Sequence, residues 1–200
     1  MHHAKYKEVY TLVDNNLPLL LTGTKGSGKT TMIRQVTEAL DFKFYSMSMT
    51  RQTTLSHILG FMSVNGLYIR SQLREAVEFG GVMLLDELDA SDPNVLLSLN
   101  TLENGYISFP DGIVHCHEDF RLCATANPQD EHHHYTGRSI LDGATLDRFD
   151  IIEIPTDPKL EKKLVGKDVW GHMEIIKNNH KDNQYLSNIS DEKRNKKFWA

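Results

Sequence analysis

Apolar runs of strand length alternate along this chain with apolar residues at helical spacing. Tyr6, Val9, Tyr10 and Val13 predict a first helix over 6–13, and Asp14-Asn15-Asn16 breaks it. The run Leu17-Pro18-Leu19-Leu20-Leu21 then reads as a buried strand, and after a glycine-rich loop Met32, Ile33, Val36 and Leu40 recur at helical spacing. A second strand is expected over 42–47 and a short helix over 55–59. A hairpin follows over 61–70, where Asn65-Gly66 between apolar runs signals a tight turn. A helix over 71–79 ends at Gly80-Gly81 and delivers Val82-Met83-Leu84-Leu85, a continuous apolar run typical of a strand covered on both faces.

Asp92 and Pro93 make a cap and first-turn pair, opening a helix whose Val95, Leu96, Leu99 and Leu102 face one way until Gly105. A second hairpin is predicted from strand 106–109, the turn Pro110-Asp111-Gly112 and strand 113–117. A strand over 122–126, a helix over 141–146 and a strand over 151–154 complete the pattern, and helices over 158–165 and 170–178 precede a polar end. Strands alternating with helices indicate an α/β sandwich with a mainly parallel sheet.

Composition narrows the class. With 40% hydrophobic and 24% charged residues among 200, the chain can bury one main core with a small appendage. A net charge of -5 offers no field for holding a nucleic-acid backbone, so nucleic acid is disfavoured as a partner without being excluded. No apolar run has signal-peptide or membrane-spanning length, which argues against secretion and membrane insertion. Cys116 and Cys123 lie on predicted strands without metal-ligand spacing and are expected to be buried reduced thiols, pointing to the cytoplasm. His132-His133-His134 and His115-Cys116-His117 are expected at solvated loop and hairpin positions, because alternate residues of a strand point to opposite faces.

The chemistry is concentrated in two places. Gly23-Thr24-Lys25-Gly26-Ser27-Gly28-Lys29-Thr30 matches the phosphate-loop pattern in full, between a predicted strand and a predicted helix, with Thr31 next in line. Glycines let backbone N–H groups turn inward around phosphates, and the helix N-terminus adds its positive dipole end. Lys29 is placed to reach the β and γ phosphates of ATP, and Thr30 to offer its hydroxyl to Mg²⁺. Asp86 and Glu87 follow a buried strand, where Asp86 can hold the metal shell and Glu87 can polarise a water.

Leu84-Leu85-Asp86-Glu87-Leu88-Asp89, Ala124-Thr125-Ala126-Asn127-Pro128 and Ala144-Thr145-Leu146-Asp147-Arg148-Phe149 follow the phosphate loop in that order. In these motifs the chain resembles an AAA+ ATPase of the branch containing MoxR proteins, cobalt and magnesium chelatase ATPases and the dynein-related domains of midasin. The stretch from Tyr135 through Phe149 is similar in style to bacterial and phage cobalt-chelatase-type ATPases. The resemblance implies a P-loop NTPase three-layer αβα sandwich with a mainly parallel five-stranded sheet and two inserted hairpins. It implies a core over 1–155 followed by a helical lid with a second-sensor arginine; 156–200 departs from this and reads as an abbreviated helical lid and polar tail, a truncated lid or one completed by a partner, and its sole arginine, Arg194, is a poor second sensor.

By motif, Asn127 corresponds to the first sensor and Arg148 to the arginine finger that enters a neighbour's site, which calls for a ring, of six copies by the family resemblance. The residues alone leave Arg148 open between that role and an ion pair with Asp147 or Asp150, Asn127 between sensor and turn former, and Arg138 between phosphate contact and loop ordering. Phe61, Met62, Leu67 and Tyr68 are open between meeting a substrate in a pore and packing on their own domain. The implied activity is Mg²⁺-dependent ATP hydrolysis coupled to remodelling or maturing a protein partner, such as metal insertion. The alternatives are a nucleotide-switched binding module with little turnover and a nucleic-acid translocase.

Overall fold

The protein is described from a computed structural model over residues 2–127, 141 and 143–165. Contacts divide it into two compact units, His2–Thr156 and a second beginning at Asp157, to which helix α7 (Pro158–Val165) belongs. In the first unit the order is α1 (Tyr6–Asp14), β1 (Leu19–Thr22), α2 (Lys29–Ala39), β2 (Phe44–Ser48), α3 (Leu55–Leu59), β3 (Phe61–Met62), β4 (Tyr68–Ile69) and α4 (Gln72–Phe79). It continues with β5 (Gly81–Asp86), α5 (Pro93–Leu96), a 3-10 segment (Leu97–Asn104), β6 (Tyr106–Phe109), β7 (Gly112–His115), β8 (Phe120–Ala126), α6 (Gly143–Leu146) and β9 (Asp150–Glu153).

Five strands form one parallel sheet in the order β2-β5-β8-β1-β9. Successive side chains of a strand enter opposite layers, so an all-apolar strand needs cover on both sides. Leu19, Leu21, Val82, Leu84 and Cys123 pack with Val9 and Val13 of α1 and Met32, Ile33 and Val36 of α2. Leu20, Met83, Leu85 and Ala124 pack with Ile58 of α3, Leu73, Ala76 and Val77 of α4, and Leu96 of α5. The fold is therefore the three-layer αβα sandwich, with β5 and β8 side by side at its centre.

Both hairpins form as separate two-stranded pairs, but the first turn differs from expectation. Gly66 has φ 74° whereas Asn65 is not left-handed, which excludes the two-residue turn that needs both. Instead the Gly66 N–H donates to Ser63 O and the Ser63 N–H to Leu67 O, a longer turn closed by a left-handed glycine. Strand β7 stops at His115, two residues early, because the Cys116 and His117 N–H groups donate to Gly105 O and Val77 O rather than to β6. The helix opened by Pro93 tightens into 3-10 winding after Leu96, which leaves Leu102 half-buried while Val95, Leu96 and Leu99 reach the core. Helix α6 begins at Gly143 rather than 141.

Phe61, Met62 and Leu67 are exposed. Tyr68 is half-buried, donates its hydroxyl to Leu59 O at 2.6 Å and lies under the Arg74 guanidinium. Arg74 itself is buried: it reaches Glu78 at 2.7 Å and Asp111 at 2.6 Å and covers the Phe109 ring, tying both hairpins to α4. His115 is exposed against Tyr106, and His117 accepts from the Asp119 N–H at 3.0 Å. Cys123 is fully buried, whereas Cys116 lies just beyond β7 and is only half-buried, a departure from the expected burial of both. Among the described residues no helix is long and apolar enough to cross a membrane. His132-His133-His134, Arg138, the helix expected over 170–178 and Arg194 lie outside the described residues.

Candidate functional site

The loop between β1 and α2 is shaped by its glycines and by the chain end of β9. The Ile154 N–H donates to Thr22 O at 2.7 Å, so the exit of β9 lies against the loop entry. Gly23 has φ 154°, and a Cβ there would meet the Ile154 carbonyl oxygen at 2.3 Å, which leaves room for glycine alone. Gly26 and Gly28 have φ 84° and 89°, and a Cβ at either would meet nothing within 4 Å, so their outer side is open. Gly28 is the N-cap residue of α2, whose first-turn N–H groups have no intrahelical acceptor.

Lys29 curls back over the loop, its Nζ donating to Gly23 O at 2.6 Å and Thr24 O at 3.0 Å. Ser27 is buried and its hydroxyl has no partner among the described residues. Thr30, on the first turn of α2, places Oγ1 3.2 Å from both carboxylate oxygens of Asp86 at the end of β5. The next residue, Glu87, takes the left-handed conformation, φ 60° and ψ 47°, which costs a non-glycine residue about 1–2 kcal/mol. Its N–H donates to Thr125 Oγ1 at 2.9 Å, and Thr125 in turn donates to Asp86 Oδ1. Thr125 is 1% exposed and Asn127, just past the end of β8, is also buried.

Between the loop and the strand ends lies one cavity of about 290 Å³. Lys25, Gly26, Gly28, Lys29, Thr30 and Thr31 form its loop side, and Asp86, Glu87, Thr125 and Asn127 its strand-end side. It opens at the carboxyl ends of parallel strands, where such sheets bind ligands. Left-handed open glycines and an ammonium suit phosphates, and the Thr30 hydroxyl beside the Asp86 carboxylate is an all-oxygen pair suited to a small hard cation. Of the loop residues predicted from sequence, Gly23, Thr24 and Ser27 belong to the loop without lining the cavity. The other predicted residues converge on it, with one exception.

Arg148 is that exception, because it does not line this cavity. Neither expected local partner, Asp147 or Asp150, holds it: the 3-10 segment presents Asn100 and Glu103 instead, with Arg148 Nε 2.6 Å from Glu103 Oε1. There it borders a second cavity of about 270 Å³ whose lining, including Leu96, Leu99 and Phe149, is mostly apolar. Thr125 is the residue sequence reasoning overlooked. The available signal was a hydroxyl inside the otherwise apolar, small-residue run Cys123-Ala124-Thr125-Ala126.

Residues 18–149 match the family model of the AAA domain, dynein-related subfamily. Midasin of Dictyostelium discoideum is 32% identical over 157 residues, covering 73% of this chain and 3% of midasin. Midasin of Giardia intestinalis is 29% identical over 168 residues, covering 78% and 3%. The uncharacterized protein YeaC of Bacillus subtilis is 26% identical over 132 residues, covering 66% and 40%. The chain thus spans less than half the length of each of these relatives. A candidate ATPase of Cytophaga hutchinsonii has the same fold, with a TM-score of 0.62 at 21% identity over 80% of this chain and 49% of that one. NtrX of Brucella abortus in complex with ATP has a TM-score of 0.58 at 16% identity, covering 78% and 38%.

Proposed function

The chain belongs to the dynein-related subfamily of AAA domains, and from that premise we propose that it binds ATP with Mg²⁺ at the loop cavity and hydrolyses it to ADP and phosphate. The observation that carries this is the 3.2 Å approach of Thr30 Oγ1 to Asp86, which brings an oxygen pair from two distant segments to the mouth of a phosphate loop. Loop N–H groups and the Lys29 ammonium hold the phosphates, Lys29 exchanging its two carbonyl acceptors for phosphate oxygens. Thr30 and Asp86 hold Mg²⁺, whose chemistry is to neutralise charge on the phosphate oxygens. The Glu87 carboxylate accepts a proton from the attacking water as its oxygen bonds to the γ-phosphorus and the bond from that phosphorus to the β–γ bridging oxygen breaks, with ADP leaving, and the Asn127 amide orients that water.

Arg148 completes the site from a neighbouring copy, where its guanidinium stabilises charge on the transferred phosphoryl group. Its absence from its own chain's cavity supports this assignment. A ring of copies, hexameric by resemblance, follows from a shared site, with 1–155 as its nucleotide-binding core. The work done is remodelling of a protein partner. The pairing of Arg148 with Glu103 in the single chain favours one other reading, ATP-dependent assembly with little turnover.

Steady-state ATPase activity against protein concentration tests the proposal, with oligomer size recorded for the native chain, Glu87→Gln and Arg148→Ala. Activity rising cooperatively with concentration, and lost in both variants while ATP still binds, is the expected result. Full activity in Glu87→Gln rejects the assigned chemistry, and ATP binding without turnover in the native chain gives the assembly reading its place.

A further inference from the structure

We infer that Thr125 is a positioning residue for hydrolysis, setting the Asp86 carboxylate and the Glu87 backbone through a single buried hydroxyl. The inference rests on the proposed ATPase reaction. The proton directions follow from the groups themselves. The Glu87 N–H can only donate, so Thr125 Oγ1 accepts it at 2.9 Å. The hydroxyl's own proton is then available for Asp86 Oδ1, the acceptor within reach. One hydroxyl therefore joins the residue assigned to the metal and the residue assigned to the water.

Several features make this joint specific. Glu87 stands in a left-handed conformation that a glutamate rarely adopts, and the hydrogen bond from its N–H to Thr125 fastens the peptide at that bend. Thr125 is 1% exposed, so its hydroxyl makes these bonds from a buried position at the cavity wall. Its strand, β8, pairs with β5 in register as far as Leu85 and Ala124, which brings residue 125 alongside the turn into Glu87. A β-branched side chain has a restricted χ1, so the hydroxyl is aimed by the strand itself. Thr30 approaches the same carboxylate from the phosphate-loop side. Asp86 is thus held between two hydroxyls, one from each wall of the cavity.

Thr125→Val keeps shape and removes the hydroxyl, whereas Thr125→Ser keeps the hydroxyl. In the full chain, kcat is expected to fall on the order of 10²-fold in Thr125→Val, as for a misplaced reacting group, with KM for ATP little changed. Thr125→Ser is expected to restore most of the turnover. Turnover by Thr125→Val equal to the native rate overturns the inference, as does equal impairment of both variants, which marks a packing role. If Thr125→Val fails to fold by circular dichroism, Thr125→Ala takes its place under the same criteria. A native chain without turnover defeats the ATPase proposal instead. The inference is then read from fluorescent ATP-analogue binding with and without Mg²⁺: loss of the Mg²⁺-dependent part in Thr125→Val supports it, and its retention overturns it.

Discussion

Arg148 and Glu103 form an ion pair within one chain, Nε to Oε1 at 2.6 Å, although 45 positions separate them (148 − 103). The Glu103 side chain is 58% exposed, so solvent screens the pair and its contribution is about 0–1 kcal/mol. A phosphate oxygen is a strong competitor for the same guanidinium.

Replacing Glu103 by alanine is accordingly expected to leave urea stability within about 1 kcal/mol of native and to lower the protein concentration at which ATPase activity appears. Arg148→Ala, by contrast, is expected to cut kcat by about 10³-fold or more. Matching losses of activity in the two variants would show that the pair serves the chain's own folding instead.

Gly23→Ala tests how the loop is seated. The added Cβ meets Ile154 O at 2.3 Å on backbone with φ 154°, so the exit of β9 must move. A loss of at least about 2 kcal/mol is expected in urea unfolding. Gly26→Ala has open space around its Cβ and is expected to cost about 1 kcal/mol from backbone strain alone, while weakening ATP binding.

Arg74 makes stability depend on acid pH. Hydrogen bonds from Arg74, and next from Arg70, hold the Glu78 carboxyl below the usual carboxylate range. A carboxyl depressed in the folded state stabilises above its unfolded pKa, and that contribution disappears as pH falls through the folded value. Arg74→Ala is expected to cost about 2–3 kcal/mol at pH 7, less than for a fully buried pair because Glu78 and Asp111 are about a third exposed. The gap between variant and native thermal stability should narrow by pH 3 without closing, since packing over Tyr68 and Phe109 is also lost. An unchanged gap would assign the whole effect to packing.

The two thiols should separate kinetically. Burial pushes the Cys123 thiol up to about 12, and it raises the half-buried Cys116 thiol as well. At pH 8 an aromatic disulfide reagent should modify Cys116 slowly and Cys123 only on unfolding, counted by mass spectrometry. Rapid modification of both in the folded chain would contradict the burial of β8.

Much of the site was legible in one dimension because its determinants are local. A phosphate loop needs glycines at fixed offsets between a strand and a helix, so Gly23 through Thr30 declare it without tertiary information. Asp86 and Glu87 were legible because a fully apolar strand ending in two carboxylates is unusual, and helix α3 over Leu55–Leu59 and helix α7 over Pro158–Val165 stand where the spacing predicts them. The hairpin at Asn65-Gly66 was legible from the dipeptide, whereas its turn type was not, because the pairing of Phe61 with Ile69 leaves a longer loop that places only Gly66 in the left-handed region.

The sequence by itself determined which segments are strands and helices and where phosphate chemistry begins, since periodicity, capping and glycine placement act over a few residues. Only tertiary structure decided which distant groups meet. The adjacency of β5 and β8 brings Thr125 to Asp86 and Glu87, the 3-10 winding carries Glu103 to Arg148, and Arg74 joins two hairpins on either side of it. Each depends on strand order and register, which arise from burying both faces of the sheet at once, a condition no local stretch of chain can meet alone.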